Sequence, residues 1–376
     1  MYWLALRTIL HKKGRILITL VGITFSSLLT LTQVSLFLGM MGNATAIIRN
    51  TDADIWITSK NTQSFDFANP FPEHRVNRVR SFDEVLWAEK LILTWGFLKL
   101  ASGGQEQIQI VGFDPVSGAG APWGLISGVA SDVKSGFYMI ADKTSAPRLG
   151  ALNVGSVWEL NTRKFKLVGL SQGIKSFTTA PIVFMSYDHA QTLPGNVFDA
   201  KQTTFIVAKL KSAETQESVV QALRESLKDN DVYTRNEFVL KTVMYWTVQT
   251  GLGMAFFLMA VLGLIVGGAI VGQTIYAYTM EHLQEFGTLK AIGAKNRDIY
   301  KIILSQAGLS GAIGFSLGLA VILLTMDRLE QFGVTLYLSA ELIALLFIVI
   351  LLTCFVSALA SVRQIRRLDP VNVFRE

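Results

Sequence analysis

The sequence predicts a membrane α-helical protein with four transmembrane helices and a large extracytoplasmic α+β domain inserted between helices 1 and 2. Three observations carry this. Of 376 residues, 51% are hydrophobic and only 16% charged, where soluble domains carry about a quarter charged residues. No charge occurs between Arg15 and Arg49, Lys241 and Glu281, Lys301 and Asp327, or Glu341 and Arg363; each run reaches the roughly 20 residues a helix needs to cross a bilayer. Residues from about 43 to 240 read instead like a soluble domain, so the chain answers to two solvents.

The first span is placed at 16–41. Segment 242–278 holds a stalk and then the second span, because one helix across the whole charge-free run would be about 58 Å long, far more than a bilayer needs. The third and fourth spans fall at 302–326 and 342–362. Basic residues near span ends stay on the cytoplasmic side. Segment 1–15 holds Arg7, Lys12, Lys13 and Arg15; loop 279–301 holds Lys290, Lys295, Arg297 and Lys301; tail 363–376 holds Arg363, Arg366, Arg367 and Arg375. The short connection 327–341 has Arg328 alone against Asp327, Glu330 and Glu341. Both termini and 279–301 are therefore expected in the cytoplasm, 42–241 outside, in a multi-pass protein of the cell inner membrane. The net charge of +6 sits largely on these flanks, where anionic lipid is the expected partner and nucleic acid is not. The N-terminal run is too long and lacks the cleavage site of a signal peptide, so it is expected to stay as an anchor.

The outer domain alternates β-rich runs with turn residues: "ADIWIT", "LILTWGFLKL", "EQIQIVGF", "FYMIA", "SVWEL", "FKLVGL", "PIVFMS" and "TTFIVAKL". Between Lys211 and Asp231, Val219, Val220, Leu223 and Leu227 recur at helical spacing. With "DVYTR" after it, this predicts a small α/β lobe beside a mostly β lobe. Residues 61–75 form an irregular loop with three phenylalanines. The one cysteine, Cys354, lies in an apolar run, so the domain is expected to hold together by its core alone.

Catalytic motifs are absent from the sequence. There is no G-x-x-x-x-G-K-[ST] loop to cradle a nucleotide, no G-x-S-x-G elbow, and the four histidines (His11, His74, His189, His282) are isolated. No catalytic residue, metal or bound cofactor is predicted. The spans also lack ionisable side chains, which disfavours an ion-coupled carrier, since such groups at depth are costly unless they function. What the spans do carry is small residues four apart: Gly263, Gly267, Gly268 and Gly272, then Gly314 and Gly318. Such spacing lets helix backbones approach closely, and this face is expected to form a seam between two copies; the alternative is that glycine is simply common in membrane helices.

The loop after the second span reads "MEHLQEFGTLKAIGAKNRDIYKIILSQAGLSGAIGFSLG". It resembles the FtsX/MacB-type ABC transporter permease family, whose signature there is E-x-G-x-L-K-A-[IL]-G-A. Glu285, Gly287, Leu289, Lys290, Ala291, Ile292, Gly293 and Ala294 match it, with Glu281 one turn earlier. The tail "SALASVRQIRRLDPVNVFRE" is similar to the family's closing D-P-x-x-x-[LF]-R through Asp369, Pro370, Phe374 and Arg375. The stretch "FYMIADKTSAPRLGALNVGSVWELNTRKFKLVGLSQG" resembles the family's MacB-like outer domain, and "ADIWITSK" with "APIVFMSYDHAQTL" looks nearest to the DevC-like members. One departure is His282, Leu283 and Gln284, where many relatives carry a basic run.

The resemblance implies a homodimer bound to a separate cytoplasmic ABC ATPase subunit that carries the ATP, with no ATP on this chain and, in DevC-like systems, a periplasmic adaptor protein. It implies mechanotransmission: closure of the ATPase moves stalk and outer domain. A short helix ending near Gly293 would then be the ATPase-coupling loop, Leu289 and Ile292 its apolar knobs, Glu285 and Lys290 its polar flanks. The leading expectation is export of a lipid, glycolipid or other amphiphile. The alternative is an FtsX-like signalling subunit that relays ATPase motion to an extracytoplasmic hydrolase, against which the large outer domain speaks.

Overall fold

Three of the four charge-free runs become helices longer than the runs themselves, and the second, 242–280, is broken before its long helix begins at Leu252. The computed structural model describes residues 13–365 apart from 179, 196–198, 200 and 332, with the backbone alone at 13–16, 290, 291, 331 and 363–365. Helix α1 covers Lys13–Asn50, followed in the outer domain by α2 (Val76–Arg80), α3 (Ala146–Leu149), α4 (Tyr187–Gln191), α5 (Gln216–Ser226) and α6 (Arg235–Met244). Then come α7 (Leu252–Glu281), α8 (Leu283–Ala291), α9 (Asn296–Gln331) and α10 (Ala340–Ile365). Among the described residues, four stretches are long and apolar enough to cross a membrane: Leu17–Asn50, Leu252–Glu281, Asn296–Glu330 and Ala340–Val362. The helices overrun the apolar spans because Asp327, Arg328 and Glu330, like Thr45 and Arg49, are tolerated in helix turns once water replaces lipid. The motif at 369–375 lies outside the described residues.

The chain divides into two compact units: the chain up to Leu38 with Gly253–Glu330 and Leu336 onward, and Gly39–Leu252 with Gln331–Thr335. The first is a helical bundle with the polarity that a lipid solvent requires. Phe257 and Leu324 are 62% and 81% exposed, while Ser26, Ser27, Thr30 and Ser35 are buried. Hydroxyls that lipid cannot satisfy turn inward, and several of them bond to backbone. Ser26 Oγ donates to Gly263 O at 2.7 Å, Ser361 Oγ to Gly272 O at 2.7 Å, and Ser35 Oγ to Leu31 O at 2.6 Å within its own helix.

The second unit is built on strands β1 (Ile55–Ser59), β2 (Phe71–Pro72), β3 (Val85–Lys99), β4 (Gln105–Phe113), β5 (Leu125–Ser127), β6 (Tyr138–Asp142), β7 (Val157–Leu160), β8 (Arg163–Ser171), β9 (Ile182–Ser186), β10 (Gln202–Thr203), β11 (Phe205–Leu210) and β12 (Asn230–Thr234). Ten of them form one mixed sheet, ordered β12-β1-β11-β3-β4-β9-β6-β8-β5, with β7 pairing both β3 and β8. Strand β3 is shared between two lobes. Val85–Leu91 pairs with β11, and Ile92–Lys99 with β4. On the β11 side, α5 lays Val219, Val220 and Leu223 against Ile55, Ile57, Ile206 and Ala208, the α/β lobe. On the other side the pairings β3-β4-β9-β6-β8-β7 return to β3 and close a ring around Ile108, Ile110, Phe165, Leu167 and Val183. The β4/β9 and β6/β8 pairs are parallel.

The first half of β3 is not legible as a strand because Glu89 and Lys90 interrupt its apolar pattern. Both are neutralised in place: Glu89 meets Arg80 at 2.8 Å and Lys90 meets Glu73 at 2.9 Å. The stalk segment is likewise not one helix. Past Met244 a π-helical turn covers Tyr245–Gln249, and Gly251 at φ +73° interrupts the chain before α7 begins.

Candidate coupling site

The family-like signature folds as a helix with a defined stop. Backbone bonds carry α7 through His282 (N to Tyr278 O, 3.1 Å), and α8 follows from Leu283 to Ala291. At its end Gly293 takes φ +105° and Ala294 N donates back to Leu289 O at 2.9 Å. That six-to-one closure around a left-handed glycine is a Schellman cap, and it uses carbonyls that the helix end would otherwise leave unpaired. Lys295 N then donates to the Asp298 carboxylate at 3.1 Å, which starts α9 with a negative group at its N-terminus.

The helix has two distinct sides. Phe286 is buried at 8% exposure, its ring 6.4 Å from that of Tyr278, and the His282 ring lies 4.5 Å from the same tyrosine. His282 Nδ1 and Glu285 Oε1 stand 3.0 Å apart. Leu289 and Ile292 point away, at 41% and 79% exposure. Gly287 and Ala294 are half-buried, and Glu281 and Glu285 exposed. Glu281 is the last residue of α7, so the matched residues from Glu285 to Ala294 share one short helix and its cap. The side chains of Lys290 and Ala291 lie outside the described residues.

The glycine faces are occupied within the bundle. A Cβ at Gly263 would lie 2.6 Å from Leu29, at Gly267 2.3 Å from Ser26 Oγ, at Gly314 2.5 Å from Ile23, and at Gly318 3.0 Å from Ser27, all on α1. Gly268 and Gly272 face α10 through Ser357, at 2.9 Å, and Ser361, at 3.3 Å. These six residues therefore join helices of one protomer, and the seam between copies expected from the sequence has no support from them. On the opposite sides of these contacts, Ser26, Ser357 and Ser361 were not singled out in the sequence, although Ser357 and Ser361 repeat the four-residue spacing.

Comparison with known proteins decides the family. The model of the MacB-like periplasmic core domain matches residues 16–226, over half the chain, and that of the FtsX-like permease C-terminal matches 257–370. The chain belongs to the FtsX/MacB-type permease family. As an ABC transporter permease of this type it is 25% identical over 236 residues to the uncharacterized ABC transporter permease MJ1507 of Methanocaldococcus jannaschii, covering 60% of this chain and 58% of that one. It is 27% identical over 226 residues to the macrolide export ATP-binding/permease protein MacB of Escherichia coli (strain K12), covering 58% and 35%. The permease thus spans little over half the length of the first relative and about a third of the second, whose permease part is the part matched. Among solved structures, the periplasmic region of MacB from Actinobacillus actinomycetemcomitans covers 50% of this chain and 92% of its own, at 14% identity and TM-score 0.39. A likeness that low adds nothing to the topology read from the strands. Four apolar helices and the family together make this permease a multi-pass membrane protein.

Proposed function

We propose that this chain is the membrane subunit of a mechanotransmission exporter, working as two copies with a separate cytoplasmic ATPase that alone binds ATP. The observation that carries the reading is α8: an apolar pair, Leu289 and Ile292, held outward on a capped helix in a loop whose basic flanks favour the cytoplasm. Both termini are cytoplasmic and the strand-rich unit is outside the cell inner membrane, where a DevC-like arrangement would add an adaptor. For cargo, a groove of about 460 Å³ lies between α7 and α10, lined by Val261, Leu264 and Ile265 and by the hydroxyls of Thr353, Ser357 and Ser361. An apolar lining with few hydroxyls supports a lipid, glycolipid or other amphiphile.

The test is co-purification of the tagged permease, expressed in its native host, with a cytoplasmic ABC ATPase. Ile292→Asp and Gly293→Val are expected to insert and fold yet lose more than about 90% of the ATPase, since a groove contact tolerates neither a charge nor a displaced cap. Full association of both variants would remove α8 from the coupling. Amphiphile-stimulated ATP hydrolysis by the wild-type complex would favour export; stimulation by an extracytoplasmic hydrolase instead would favour the signalling alternative.

A further inference from the structure

The end of α6 is gripped from two sides. The π-helical turn Tyr245–Gln249, a winding that is rare and concentrates at functional places, directs Trp246 into the outer unit, where it is 8% exposed. On one side stands the single turn Phe65–Phe67, from the loop that the sequence marked by its three phenylalanines. Trp246 Nε1 donates to Asp66 Oδ2 at 3.2 Å, the Phe67 ring lies 5.8 Å from Trp246 and 5.7 Å from Tyr245, and Phe65 N donates to Thr242 Oγ1 at 3.3 Å. On the other side Phe177, in the loop after β8, stacks on Trp246 with ring centres 3.7 Å apart and planes 21° from parallel.

Both gripping loops are rooted in strands. Gln109 of β4 donates to Asp66 Oδ1 at 3.4 Å, and Phe65 stacks on Phe205 of β11 at 5.1 Å. Asp142, fully buried at the end of β6, accepts from Ser171 Oγ (2.9 Å), Gly173 N (3.3 Å) and Ile174 N (2.9 Å), which fixes the root of the Phe177 loop to β6 and β8. A displacement of Trp246 therefore bears on β4 and on β6 with β8, members of the closed ring, and not on one loose loop. The grip is also releasable. Asp66 is buried with two long hydrogen bonds from neutral donors, Trp246 and Gln109, and among the described residues no cation is recorded against it. A carboxylate so placed is poorly compensated, so the aromatic contacts hold closed what the acid loosens.

We propose that this clamp, with Trp246 as the gripped side chain and Phe67 and Phe177 on its flanks, is the joint through which movement of α6 and its π turn reaches the outer strands. The proposal rests on the reading of the chain as a motion-transmitting permease. It is tested by hydrogen exchange followed by mass spectrometry on the full-length protein in lipid nanodiscs. Phe177→Ala is expected to speed exchange at residues 244–250 about threefold to tenfold, the range for losing one aromatic pair, with β1 and β11 unchanged, and Phe177→Tyr to restore the wild-type rate. Should Phe177→Ala disturb the strands, the half-exposed Phe67→Ala gives the same test. Unchanged exchange at 244–250 overturns the clamp. In the ATPase-bound complex, ATP is expected to alter exchange in β6 and β8 of the wild type, and Phe177→Ala to lose that response while still binding the ATPase. A full response in Phe177→Ala overturns the proposal. If the wild type binds the ATPase but shows no response, motion transmission itself falls, and the joint with it.

Discussion

Replacing Gly267 by Ala tests whether α1 and α7 meet inside one protomer. The new Cβ would lie 2.3 Å from Ser26 Oγ and 2.5 Å from Ser26 Cβ, so the helices must part. Overpacking of this kind costs about 1–3 kcal/mol. Parting also weakens the 2.7 Å bond from Ser26 Oγ to Gly263 O, worth about 0.6 kcal/mol by membrane-protein precedent, while alanine regains up to about 1 kcal/mol of helix preference. The net expectation is a loss of about 1–3 kcal/mol, read as a fall in Tm of about 2–4 °C per kcal/mol. Cys354, the single cysteine and buried, provides the assay, because a thiol-reactive fluorophore labels it as the bundle opens. Gly42→Ala is the control: nothing lies within 4 Å of its Cβ, so it is expected to hold or raise the midpoint. Ser26→Gly removes the obstacle, and in the double variant it should recover at least about 1 kcal/mol relative to additivity. Additivity within about 0.5 kcal/mol would refute the contact.

Three further outcomes are expected. Burial pushes the Asp66 carboxyl from 3.8 up to about 6, against the opposing hydrogen bonds from Trp246 and Gln109. With the folded value above the unfolded one, its stabilising effect is complete below about 3.8 and lost as pH rises through about 6, so Asp66→Asn should gain on the order of 2 kcal/mol over wild type between pH 4 and pH 7.5; a pH-independent difference in unfolding midpoints would contradict this. Orientation is checked in a Cys354→Ala background: cysteines replacing the exposed Lys60 and Lys164 should react with an impermeant thiol reagent from outside and one replacing Asn296 should not, and the reverse pattern would invert the topology. Ser59 would be a poor reporter, being buried. Finally, Gly293→Val should destabilise α8 through backbone strain alone, since nothing surrounds that position and only φ +105° resists a β-branched side chain; circular dichroism of the folded variant should therefore stay within a few per cent of wild type.

Much of this architecture is written in charge spacing. Four charge-free runs, the basic flanks and the E-x-G-x-L-K-A-I-G-A segment give the helices, their order and the loop that joins α7 to α9. What stays hidden depends on contacts between distant residues. Glu89 and Lys90 read as a break in a strand because their partners, Arg80 and Glu73, are known only from the fold. The glycine spacing identifies a close-packed face but not which helix covers it; that answer lay with Ser26, Ile23 and Ser357 elsewhere in the chain. The π turn is silent because "YWTVQTGLGMAF" stays apolar on both sides of the interruption, with Thr250–Gly251 as its one faint signal. Asp66 is the sharpest case. An acid between two phenylalanines hints at burial, but no local pattern says that a tryptophan 180 residues later will donate to it.

The central claim, that α8 receives the motion of a cytoplasmic ATPase, is tested most directly by a photo-crosslinking amino acid placed at Ile292, the most exposed large apolar residue of that helix and its cap. Irradiation of intact cells is expected to yield one adduct whose peptides include a nucleotide-binding G-x-x-x-x-G-K-[ST] loop, absent from this chain. The adduct should disappear with Gly293→Val. Crosslinking to lipid alone, with the ATPase expressed and the permease correctly inserted, would contradict it and leave α8 as a helix lying on the membrane surface.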